Sequence, residues 1–131
     1  MGHLASIFGT YRARAAAGLV VLALALPAPA FAAFPAKAVQ LAEILGAVHH
    51  LRDVCGANEG QLWRNKMIEM IAVLQPKEAE RQRLVKHFND SFYRYRNAYP
   101  KCTATAATQS DKLMQDGQRI AEELAASGFG R

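Results

Sequence analysis

From Pro35 onward, apolar residues recur every three or four positions, and proline or glycine interrupts them at Gly56, Pro76 and Pro100. That spacing keeps one face of an α-helix apolar, whereas a half-buried strand would alternate every second residue. The interruptions therefore divide the chain into four helix-length segments. In the first, opened by Pro35, Val39, Ala42, Ile44, Leu45, Val48 and Leu51 form a broad stripe that ends near Asp53. In the second, Trp63, Met67, Met70, Ile71 and Leu74 share a face. Asn58 is the expected N-cap, with Gln61 three residues on in a capping-box pattern, and Pro76 is the stop.

The third segment starts at Lys77 or Glu78, where Glu78 and Glu80 suit the positive end of the helix dipole. Leu84, Phe88, Phe92, Tyr95 and Tyr99 mark its face, Val85 is expected to widen it, and Pro100 ends it. The fourth is capped by Thr103 or Thr105, carries Leu113, Gly117, Ile120 and Leu124, and stops at Gly128. Short loops between four amphipathic helices predict a small up-down-up-down bundle, all-α.

The first thirty-odd residues read differently. Arg12 and Arg14 precede the apolar run Ala15–Leu26, and PAPAFAA then offers small residues at Ala30 and Ala32. This is the pattern of a cleavable secretory signal, residues 1–32, leaving a helical domain at 33–131. An uncleaved N-terminal anchor is the alternative. Against it, Pro27 and Pro29 break the run short of the about 20 strongly apolar residues a spanning helix needs. The mature chain is thus expected in the periplasm, with no transmembrane span.

Export changes how the charge and cysteines are read. Residues 1–32 hold Arg12 and Arg14 and no acidic residue, so the 16 basic residues become 14 against 11 acidic ones, a net +3. Lys77 to Lys101 alone carries seven basic and three acidic residues. A local excess of this size favours solubility and does not mark a nucleic-acid-binding protein. Cys55 falls in the loop after the first helix and Cys102 in the loop after the third, at the same end of an up-down-up-down bundle. An oxidising compartment would join them as a structural disulfide. No C-x-x-C or C-x-x-C-H occurs, which leaves neither a thioredoxin-like dithiol nor a haem attachment.

Other chemistry is sparse. His49 and His50 diverge by about 100° on a helix, so they do not chelate as an i, i+4 pair. A metal site would have to combine His49 with Glu43 or with sulfur from Met67, Met70 or Met114. No nucleophile, base and orienting group stand together, so no catalytic residue and no cofactor are assigned and a non-enzymatic protein is expected. The exposed charges at Arg52, Glu59 and Arg64, and the basic-aromatic flank Tyr93, Arg94 and Arg96, remain as candidate recognition residues. Their expected partner is a protein or an envelope component.

The run LAEILGAVHHLRDVCGANEGQLWRNKM, Leu41 to Met67, resembles the signature of a small exported alphaproteobacterial family, a domain of unknown function. The shared positions are Leu41, Glu43, Leu45, Gly46, His49, Leu51, Arg52, Cys55, Gly56, Glu59, Gly60, Trp63 and Arg64, with Cys102 matching a downstream cysteine. The resemblance covers most of residues 38–126. It implies export, a Cys55–Cys102 disulfide and one helical domain, draws attention to His49 over His50, and supplies no substrate or cofactor.

Overall fold

A computed structural model describes residues 34–128. Four helices occur among them and no strand: α1 (Ala36–Val54), α2 (Leu62–Leu74), α3 (Glu78–Ala98) and α4 (Ala104–Ala126). They run alternately up and down. The signal-sequence expectation falls on residues 1–32, outside the described residues.

The centre of the fold is α1. Eleven of its residues are buried, from Ala38 through Leu51, and they lie on nearly every side of the helix. A helix apolar all round must be surrounded, and α1 packs against each of the other three, most extensively on α3. The outer helices contribute narrower stripes: Met67 and Met70 from α2, Leu84 and Phe88 from α3, Ile120 and Leu124 from α4. Leu51, Leu84, Ile120 and Val48 are fully buried, each worth about 1.5–3 kcal/mol over exposure. Val85, expected in the α3 stripe, lies at the surface. The polar Ser91 takes the buried place there instead, since a small side chain fits the close α1–α3 crossing.

That crossing is set by Gly46. A Cβ on this residue would lie 2.1 Å from the carbonyl oxygen of Phe88, so only glycine allows the two backbones so near. On the α4 side Gly117 faces the Ile44 side chain, where an added Cβ would sit 3.0 Å from Cγ2.

The helix ends follow local chemistry. Thr103 Oγ1 accepts from Ala106 N–H at 3.0 Å, capping α4, and Lys77 N–H donates to Glu80 at 2.7 Å at the start of α3. The start of α2 differs from expectation. Asn58 is not its N-cap: Gly56, Asn58 and Gly60 all adopt positive φ, so the turn continues to Gln61 and the helix begins at Leu62. Asparagine tolerates the left-handed region, and this use of it competes with capping.

Cross-links hold the helices in register. Cys55 and Cys102 form a disulfide, with Cα atoms 4.8 Å apart. Beside it His50 Nε2 donates to the Tyr99 carbonyl at 2.7 Å, fixing the tautomer with the proton on Nε2. At the opposite end Lys37 pairs with Glu123 at 2.7 Å, joining the start of α1 to the end of α4.

Candidate functional site

Two regions concentrate side chains with something to offer: the stapled corner after α1 and the space between α2 and α4.

At the corner, Arg52 on the last turn of α1 points across the loop to Glu59. Its Nε donates to both carboxylate oxygens, at 3.0 and 3.2 Å, and Nη2 donates to Oε1 as well. The other side of the carboxylate accepts from the Trp63 indole N–H at 2.6 Å. The Arg52 hydrogen bond, followed by the one from Trp63, holds the Glu59 carboxyl below its ordinary range, and Glu59 in turn raises Arg52. Glu59 therefore stays ionised and fully engaged as a bracket between α1 and α2. Of the three corner charges singled out from sequence, Arg64 is the one left exposed.

Trp63, held by that bracket, forms one end of an apolar groove. Its floor is Leu41, Ile44, Leu45 and Val48 of α1. Its walls are Met70, Val73 and Leu74 of α2 and Leu113, Met114, Gly117, Ala121, Leu124 and Ala125 of α4. Its volume is about 490 Å³. The groove exists because α2 and α4 both pack on α1 without packing extensively on each other. Lys66 and Glu69 stand on its α2 rim, paired at 3.1 Å, and Gln118 on its α4 rim. The sequence reading did not assign this groove. Its signal was α2 itself, which carries Leu62, Ile68 and Val73, all exposed, beyond its core stripe, and of these Val73 lines the groove.

The remaining candidates lie on α3 or against it. Tyr93 is half exposed, with the Arg96 guanidinium 4.8 Å from its ring centroid, while Arg94 lies 5.8 Å from the Tyr95 ring. They form a basic-aromatic flank away from the groove's lining. Glu43 does not meet His49. It pairs with His87 Nδ1 at 2.7 Å, linking α1 to α3. His49 instead lies beside Phe88 and Phe92, its ring centroid 6.1 and 5.4 Å from theirs. Burial and then the positive charge of Arg64 lower its pKa below 6.5. Among the described residues no group of three or more His, Cys, Asp or Glu side chains is arranged to hold a metal ion.

The model of the family described as "Protein of unknown function (DUF2385)" matches residues 33–127. The chain belongs to that family. No curated protein and no solved structure matches it. In this DUF2385 chain, the run Leu41–Arg64 is a structural unit: Gly46 sets a crossing, Arg52 and Glu59 form a bracket, Cys55 makes the staple and Trp63 ends the groove. No helix among its described residues is long and apolar enough to cross a membrane.

Proposed function

We propose that this DUF2385 chain is an exported, non-enzymatic protein of the periplasm that works by contact with another protein, received in the α2–α4 groove. The observation that carries this reading is the groove itself. It is apolar along floor and walls and polar only at its rims, the form of surface that takes the apolar face of an amphipathic helix. The disulfide suits an oxidising compartment. The side chains best equipped for chemistry are already committed: both cysteines to each other, Glu59 to Arg52 and Trp63, His50 to the Tyr99 carbonyl.

A photo-crosslinking amino acid at Val73 or Gln118 in living cells tests this. Adducts to a defined protein are expected from both rim positions and not from Asp90, an exposed residue of α3. No protein adduct at either rim position across growth conditions would remove the reading, as would adducts from Asp90 of equal yield.

A further inference from the structure

We infer that the protein received in the groove is a second copy of this chain, docked by antiparallel pairing of the two α2 helices about a two-fold axis. The inference rests on the groove's role as a protein-binding surface and names its occupant.

One outer edge of α2 is formed by Leu62, Lys66, Glu69 and Val73, spaced four, three and four residues apart and hence on one side of the helix; the last three border the groove. All four are exposed: Leu62 by 39% and Val73 by 59% overall, and the Lys66 and Glu69 side chains by 49% and 64%. The order is apolar, basic, acidic, apolar, and the spacing is the same read from either end. An isologous contact sets residue i against j and j against i. An antiparallel copy of this edge therefore places Leu62 opposite Val73 and Lys66 opposite Glu69, twice over. Two apolar contacts flank a cluster of four alternating charges with no net charge. The edge is complementary to itself in both apolarity and sign, which is the arrangement that selects one partner and one register.

The groove supplies the room. An incoming helix needs its axis within about 8–10 Å of its neighbours, and the α4 wall facing α2 is lined by the small residues Gly117, Ala121 and Ala125. Each copy would lay its α2 edge against the other's groove, so that α2 of each copy fills the space the other copy's α4 leaves open. A lipid chain would use the groove but gain nothing from the opposed charges on its rim.

Charge reversal tests the pairing in trans. The purified, oxidised wild-type chain is expected to dimerise in sedimentation equilibrium. K66E sets two carboxylates opposite Glu69 and its copy, and E69K sets four cations together. Each variant alone should weaken the dimer at least about tenfold in dissociation constant, as like charges directly opposed do. Mixed together, the two variants restore opposite signs across the axis and should form a one-to-one heterodimer. Restoration of the ion pair within one helix cannot produce that result, because neither variant has it. Circular dichroism confirms that each is folded. A monomeric wild-type chain, a dimer indifferent to both reversals, or a mixture that stays monomeric would each overturn the inference. A monomer that carries a co-purified lipid in native mass spectra would also do so. If the chain is monomeric yet Val73 crosslinks to a different protein in cells, this inference fails and the proposed function stands. If no protein is crosslinked either, both fail.

Discussion

Gly46→Ala adds one methyl group where the structure has no room for it. The new Cβ would lie 2.1 Å from the Phe88 carbonyl oxygen, 2.9 Å from its carbon and 3.2 Å from its Cα, all backbone atoms of α3. Nonbonded contacts settle at about 3.5 Å, so α1 and α3 must separate by more than about 1 Å. No rotamer change can absorb the clash, because neither side of it is a side chain. The separation would open the largest helix interface among the described residues, where Leu84 and Phe88 are buried. Gaps of 0.5–1 Å already forfeit a quarter to a half of each contact's attraction. Overpacking of this kind costs about 3 kcal/mol or more, and the better helix propensity of alanine returns about 1 kcal/mol. The expected net loss is about 2–4 kcal/mol, or roughly 10–25 °C in Tm for a domain of this size. Gly117→Ala is the control. There the obstacle is the Ile44 Cγ2 methyl at 3.0 Å, a single side-chain atom that need give by only a few tenths of an ångström, so the expected change is within about 1 kcal/mol. Thermal and urea melts followed by circular dichroism on oxidised protein measure both. A Gly46→Ala protein as stable as wild type would show that the α1–α3 crossing is looser than described, and equal losses in both variants would refute the distinction between backbone and side-chain obstacles.

Removing the staple with Cys55→Ser and Cys102→Ser together frees a loop of 47 positions, and the chain-entropy model gives a loss of about 4 kcal/mol. Urea unfolding should show it, and a loss below about 1 kcal/mol would contradict it. Glu59→Ala leaves Arg52 and the Trp63 indole without their shared acceptor and should cost about 1–2 kcal/mol, allowing for partial exposure of the pair. Trp63 is the single tryptophan of the sequence, so a change in its emission reports the lost bracket directly. Because the folded Glu59 pKa is lowered, its contribution is fully present above the ordinary carboxylate value and fades as pH falls through the folded one. For His49 the folded pKa is also lowered, chiefly by burial, so the unfolded chain takes up a proton first as pH drops below 6.5 and stability declines from there. His49→Phe should flatten that part of the pH-stability curve, and an unchanged slope would exclude His49 as its source.

Much of this fold is legible in the sequence because its information is local. Apolar spacing and the prolines locate all four helices, and loop parity brings Cys55 to Cys102. Reading failed where one residue had two local uses or where an angle between helices decided the outcome. Asn58 fits a capping box, yet two flanking glycines make it more valuable in a left-handed turn. Glu43 lies near the histidine pair in sequence, but the helix crossing turns it toward His87, 44 positions away. The groove has the same origin. The stripes on α2 and α4 show that both pack on α1, while the gap between them depends on where around α1 each one settles. Within α2, Val73 is surplus to the core stripe, and that surplus is the trace the groove leaves in the sequence.

The central position of α1 also orders how the molecule comes apart. Each outer helix is held chiefly through α1, so one can detach without first loosening the others, whereas α1 can lose its protection only when all three leave. With Met67 and Met70 as its only buried residues, α2 is the helix whose departure exposes least. Its amides should exchange with solvent through a local opening of low free energy, while those of α1 wait for global unfolding. On that expectation the described residues form a three-helix body from which the remaining helix is the first to be released, still moored by the disulfide at the corner where it begins.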